Sequence, residues 1–174
     1  FFYTFKPLIL LMERYELFRE SANKHFLTAD RFLNFTFRIV NEPKMLLGVV
    51  ENIFLALMSS VSSLLYFERL FKFIPPFPDT FEGKLLAFKP LLIKYSLGED
   101  NIKLIEKLHE IMVVHKKCPI EFVKDNALIM CSSSYDCEKL TSEMVVIYFK
   151  KAKLFIEESN TILRKNERNY RNIN

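Results

Sequence analysis

The chain has 174 residues, of which 50% are hydrophobic, and its formal net charge is +4. A domain of this size can bury a core without disulfide or metal staples. The three glycines are too few for a fold rich in tight turns or glycine-rich phosphate loops, and the small net charge excludes a generally basic nucleic-acid binder unless its cations cluster. We therefore predict one all-α domain over residues 1–174, an antiparallel bundle of about five helices.

The N-terminal segment, residues 1–11, is largely apolar and begins Phe1-Phe2-Tyr3. It has neither a basic start nor a small-residue cleavage site, so it is not typical of a signal peptide. The apolar run is longer than one groove of a bundle needs. We therefore predict that this segment packs on the bundle or on a partner, and that the chain forms a homo-oligomer or binds another protein.

Pro7 can begin a first helix that extends to about Val40, because apolar residues recur there every three or four positions. Asn41-Glu42-Pro43 should end that helix, since proline disfavours helical geometry in the residue before it. A second helix, about Pro43–Phe73, would follow after this short connection. Helices joined so closely are expected to lie antiparallel.

The second helix contains the most apolar stretch of the chain, Met45–Phe67. Its longest charge-free run, Asn52–Phe67, is shorter than the roughly 18–20 residues that cross a bilayer, and it contains four serines. We therefore predict a buried central helix and no membrane span.

The prolines at 75, 76 and 78 predict an extended connector. A third helix should follow, capped by Asp79 or Thr80 and reaching about Tyr95, and a fourth should span roughly Asn101–His115. Two short apolar runs around Asp125-Asn126 predict a small irregular or β-hairpin insert at about 119–140.

The last helix should begin after Thr141 or Ser142 and run to about Arg168, burying an apolar stripe that includes Val145, Tyr148, Ala152 and Phe155. The chain's cations cluster there. The predicted nucleic-acid-binding residues, which could share one side of this helix, are Lys150, Lys153, Arg164, Arg168 and Arg171. A solvated helix end, with cations favoured by the helix dipole, explains the same pattern.

Four potential zinc ligands flank the predicted insert: His115, Cys118, Cys131 and Cys137. Their types suit zinc, but structural zinc sites usually carry ligands paired two to four residues apart, and buried apolar thiols explain the cysteines as well. The odd number of cysteines predicts reduced thiols and a cytoplasmic protein. No cofactor is predicted.

Arg19 and His25 form an arginine–histidine pair with five intervening residues. Such a pair could cleave RNA without a metal, the histidine moving a proton and the arginine stabilising phosphate charge. Six residues along a regular helix place the two side chains about 120° apart. They would therefore share no face unless the helix breaks between them.

The order of elements resembles the HEPN superfamily of helical domains associated with nucleotides and RNA. Two segments carry the resemblance, Ser21–Leu33 and Val50–Phe67, within a likeness that covers about residues 12–165. The superfamily's ribonuclease motif, Arg-x4–6-His, normally lies late in the domain, whereas here its match lies in the first helix. The resemblance therefore implies a non-catalytic relative.

A second segment, Leu108–Val123, resembles parts of uncharacterised small archaeal helical proteins, which implies no function. Taken together, these features predict a non-enzymatic binding or assembly module that associates with RNA or nucleotides through the basic last helix. The alternatives are a ribonuclease that uses Arg19 and His25, and a purely structural subunit of an oligomer.

Overall fold

The computed structural model describes the backbone of residues 5–134 and 136–171 and the side chains of residues 14–134 and 136–169. It is mostly helical, with one small three-stranded antiparallel sheet. In chain order the elements are α1 (Phe5–Arg31), a π-helical segment (Phe32–Thr36), α2 (Phe37–Val40), α3 (Met45–Leu70), α4 (Phe81–Tyr95), α5 (Asp100–Lys117), β1 (Ile120–Lys124), β2 (Ala127–Cys131), β3 (Cys137–Leu140) and α6 (Ser142–Arg171).

The first predicted helix is confirmed as a continuous helical stretch from α1 through α2. The sequence did not indicate the π-helical segment inside it. The stretch ends at Asn41, which takes a left-handed conformation with φ of 52°, one of the conformations that asparagine tolerates better than most residues. The apolar run that predicts oligomerisation falls on residues 1–4, outside the described residues, and on side chains of α1 that are not described, so oligomerisation stays a prediction.

α3 is the central helix, as predicted. Fully buried side chains occur along its whole length, among them Leu46, Ile53, Leu57, Leu64 and Phe67. α1, α4, α5 and α6 all contact it. Buried residues from these helices and from the sheet form one contiguous apolar cluster.

Small polar residues of α3 allow α1 to approach closely. The Ser63 hydroxyl donates to the backbone oxygen of Tyr15 at 2.8 Å, and the hydroxyls of Ser21 and Ser59 lie 3.2 Å apart. Higher residue numbers on α1 therefore meet lower numbers on α3, which makes the pair antiparallel.

Among the described residues, α3 is also the one helix long and apolar enough to cross a membrane. Its most apolar window has a mean hydropathy of 1.7, and half of that window is buried inside the structure. The core helix of a soluble protein passes the same test of length and composition. The predicted absence of a membrane span therefore stays a prediction.

A close contact fixes the start of α4. The Thr80 side chain accepts a hydrogen bond from the backbone N–H of Gly83 at 3.1 Å, which confirms the predicted cap. A Cβ atom at Gly83 would lie 2.7 Å from the backbone oxygen of Pro78. Glycine is therefore required here for the connector to pass against the helix.

The insert is a three-stranded antiparallel sheet in the order β1-β2-β3, so the prediction of an irregular or β-hairpin insert is correct only in part. β1 and β2 form the predicted hairpin around Asp125 and Asn126, whose φ angles are 50° and 54°. Such paired left-handed residues make the tight turn that matches strand twist. No sequence pattern indicates β3, because its residues Glu138 and Lys139 are polar and its length is only four residues.

Replacing Leu57 with alanine tests the central position of α3. Leu57 is fully buried, and removing a large side chain from a core leaves a cavity that costs about 2–5 kcal/mol. Leu86→Ala is a matched control, because Leu86 is 69% exposed. Urea denaturation followed by circular dichroism would measure both losses of unfolding free energy, and equal losses would contradict the assignment.

Candidate nucleic-acid interface and polar sites

Four of the six described cations of α6 form a basic strip, defined as Lys150, Lys153, Arg164 and Arg168. All four side chains are exposed. With about 100° of turn per residue, they fall within an arc of roughly 60° around the helix and span about 27 Å along its axis. The fifth predicted residue, Arg171, lies within the helix, but its side chain is outside the described residues.

The basic strip is poorly neutralised. Among the described side chains, none of its four cations forms an ion pair. Arg164 donates to the hydroxyl of Thr161 at 3.4 Å, which leaves other donors of its guanidinium available. Glu157 is the one acidic residue within the same arc, between the pair at 150 and 153 and the pair at 164 and 168.

The opposite side of α6 packs into the core, so the basic strip faces solvent. Val145, Ala152 and Phe155 are buried, as predicted. Tyr148 is half-buried, and burial raises the pKa of its phenol. Burial of this stripe therefore determines which side of α6 the cations occupy.

The structure does not bring Arg19 and His25 together. Arg19 points at α6, with Nη1 3.0 Å from Oε1 of Glu167 and Nε donating to Asn160 at 3.2 Å. His25 points at α3, with Nδ1 3.2 Å from Oδ1 of Asn52. The two side chains are thus part of two different helix–helix contacts, and their geometry gives no support to a shared catalytic site.

Glu167 is the centre of a polar cluster between α1 and α6. Besides Arg19, the Tyr15 hydroxyl donates to Oε1 of Glu167 at 3.2 Å. Burial, together with the nearby carboxylates of Glu167 and Glu16, raises the pKa of Tyr15 far above its ordinary value of 10.0. A neutral phenol can donate to the carboxylate, whereas a phenolate beside it would be repelled.

A second polar cluster joins α3, α4 and α6. Glu68, at the end of α3, is only 1% exposed and lies 2.6 Å from Nζ of Lys94. The Tyr95 hydroxyl also donates to Glu68, and Asn166 donates to Tyr95 at 3.1 Å. A buried carboxylate is tolerated only with such partners, so this cluster fixes how the three helices meet.

A cleft of about 470 Å³ lies where the start of α3, the end of α5 and β1 meet. His115 lies at its edge, with Nδ1 2.5 Å from Oε1 of Glu121. The other charged residues that line it are Lys44, Glu51 and Lys116. Because these charges nearly balance, the cleft gives no clear preference for an anionic or a cationic ligand.

The structure overturns the prediction of three reduced thiols, because Cys131 and Cys137 form a disulfide. A disulfide sulfur has no thiolate with which to bind zinc, so two of the four predicted ligands are lost. Of the other two, Cys118 donates to backbone oxygens and His115 contacts Glu121. In the described part of the chain, no group of three or more potential ligands is arranged for a metal.

The same disulfide removes the argument for a cytoplasmic location, since that argument required reduced cysteines. The cytoplasmic location therefore stays a prediction.

The partners Glu121, Glu167 and Glu68 were missed by sequence reasoning. Each contacts a residue on another element, and nothing in the spacing of charges along the chain indicates these pairs. Only a known packing of the helices would have identified them.

The chain matches no protein-family model, no curated protein sequence and no solved structure. The resemblance to HEPN domains is therefore neither supported nor contradicted by these comparisons.

Alkaline titration tests the polar cluster at Glu167. The folded-state pKa of Tyr15 is raised, so the unfolded chain loses the phenol proton first, near pH 10. The stability that this residue contributes is therefore present below pH 10 and falls as the pH rises above it. Tyr15→Phe should reduce the slope of unfolding free energy against pH by up to about 1.4 kcal/mol per unit.

Glu167→Gln separates the two causes of the raised Tyr15 pKa, which are burial and the nearby carboxylate of Glu167. It removes the carboxylate but leaves the phenol buried, so its slope should lie between those of the wild type and Tyr15→Phe. Urea titrations at several pH values from 9 to 11.5 would measure the slopes. Identical slopes in all three proteins would contradict the proposed environment of Tyr15.

Proposed function

We propose that this protein is a non-enzymatic binding module that associates with RNA through the basic strip of α6. The supporting observation is the placement of four exposed cations in one narrow arc, on a helix whose opposite face is fixed in the core. Lysine and arginine side chains along a rigid helix suit contacts with a phosphate backbone, which fix position without reading bases.

The spacing along the strip suits an extended polyanion better than a single nucleotide. Two residues separate Lys150 from Lys153 and ten separate Lys153 from Arg164, so the two basic pairs lie about 16 Å apart at 1.5 Å per residue. A small ligand would reach only one pair. A strand of several nucleotides would reach both, with Glu157 between them disfavouring phosphate at the middle.

The ribonuclease alternative has less support, because Arg19 and His25 contact different helices and are already hydrogen-bonded. The purely structural alternative would leave the basic strip as a solvated helix face. A binding measurement distinguishes this alternative from the proposal.

The experiment compares two triple variants with equal changes in net charge. Lys150→Gln, Arg164→Gln and Arg168→Gln together remove most of the strip. Lys89→Gln, Lys151→Gln and Lys165→Gln together remove three exposed cations outside the strip. Lys151 and Lys165 lie on α6 but outside the arc of the strip, by about 100° and 60° from its edge. The probe is a fluorescein-labelled single-stranded RNA of 20 nucleotides, and its anisotropy is measured from 50 to 300 mM KCl.

The strip variant should flatten the plot of log affinity against log salt by about two units, because each phosphate contact on a single strand contributes about 0.7. The control variant should change the slope much less. Equal effects of the two variants, or an unchanged slope in the strip variant, would contradict the proposal. A single-stranded DNA of the same sequence bound equally well would contradict selectivity for RNA and indicate a general polyanion surface.

A further inference from the structure

All three cysteines of the chain lie together at one end of the small sheet. Cys118 follows α5 directly, Cys131 ends β2, and Cys137 begins β3. Cys131 and Cys137 are opposite each other in the strand register and are joined by the disulfide. A free thiol and a disulfide are thus neighbours in a protein that contains no other sulfhydryl group.

The Cys118 thiol lies directly against the backbone of Cys131. Its Sγ donates to the backbone oxygen of Cys131 at 2.9 Å and to that of Ile120 at 2.8 Å. Ile120 is the register partner of Cys131, and Cys118 precedes it by two residues with an extended backbone. Alternate residues of an extended chain lie on the same side, so the thiol and the disulfide share one face.

The two sulfurs of the disulfide differ in exposure. Cys131 is 5% exposed, whereas Cys137 is open to solvent. In thiol–disulfide exchange the sulfur that is not attacked leaves as a thiolate, and a charged group is stabilised by water. Attack at Cys131 would therefore release the negative charge at the exposed position.

We propose that Cys118, Cys131 and Cys137 form an intramolecular thiol–disulfide exchange site. The Cys118 thiolate attacks Sγ of Cys131, the Cys118–Cys131 bond forms as the Cys131–Cys137 bond breaks, and the electron pair stays on Sγ of Cys137. Cys137 then takes up a proton from water in place of the one that Cys118 released. The number of disulfides is unchanged, so the step needs no oxidant or reductant.

Exchange moves the covalent link from β2–β3 to the junction of α5 and β2. β3 then loses its covalent link and is held by non-covalent contacts: its strand pairing, the buried Leu140 and the 2.7 Å ion pair between Glu138 and Lys107. Only Thr141 separates β3 from α6. The exchange would therefore loosen the chain just before α6, a consequence that does not depend on the function proposed for that helix.

Peptide mapping of the wild-type protein tests the exchange. Trypsin cleavage after Lys117, Lys124 and Lys139 gives peptide 118–124, which contains Cys118, and peptide 125–139, which contains both other cysteines. The protein is incubated at pH 5.5 or pH 8.5, quenched with acid, blocked with N-ethylmaleimide and digested without reduction. A further cut by chymotrypsin after Tyr135 shows which cysteine of peptide 125–139 is linked.

We expect the two tryptic peptides to become disulfide-linked through Cys131, with maleimide on Cys137. The initial rate of linkage should be at least about tenfold higher at pH 8.5 than at pH 5.5, because the thiolate is the attacking species. Cys118→Ser should give no linked peptide, which controls for scrambling during handling. Cys137→Ser, oxidised with glutathione disulfide, should form the Cys118–Cys131 link directly.

A wild-type protein whose Cys118 is fully blocked by maleimide at pH 8.5, with no linked peptide, overturns the proposal whatever the variants form. A link from Cys118 to Cys137 in place of Cys131 overturns the assignment of the attacked sulfur. Because the main measurement uses the unmodified chain, a variant that fails to fold does not affect the outcome.

Discussion

Burial of α3 is the interaction on which the other helices depend, because α1, α4, α5 and α6 each cover part of its apolar surface. Each aliphatic or aromatic side chain that it buries contributes on the order of 1.5–3 kcal/mol from removal of apolar surface from water. Its serines matter for a different reason. At Ser59 and Ser63 the helix is narrow enough for α1 to approach and hydrogen-bond with it.

Apolar burial alone would allow the helices to rotate or slide, and the polar clusters restrict that freedom. Glu68 joins α3 to α4, and Glu167 joins α6 to α1. Because Glu68 is only 1% exposed, a packing that removed its partners would carry a large desolvation cost and is disfavoured. The orientation of α6, and with it the exposure of the basic strip, follows from these contacts as much as from the apolar stripe.

The small sheet has a different relation to the core. Leu128, Met130 and Leu140 are buried in the same apolar cluster as the helices, whereas β1 is largely exposed. The sheet is therefore fixed on one face and accessible at its β1 edge. The cysteines lie at the end of the sheet where α5 enters it, next to the strand that leads into α6.

The sequence by itself determined the helices and most of their boundaries, because apolar periodicity, prolines and capping residues act locally. It also determined that Lys150, Lys153, Arg164 and Arg168 share one side of α6, since that depends only on helical repeat. β3 was not predicted, because a short polar strand has no local sequence signal and forms only through pairing with the edge of β2. The partners of Arg19, His25 and Glu68, and the pairing of Cys131 with Cys137, were decided by the tertiary structure, because each joins atoms whose proximity depends on how separate elements pack.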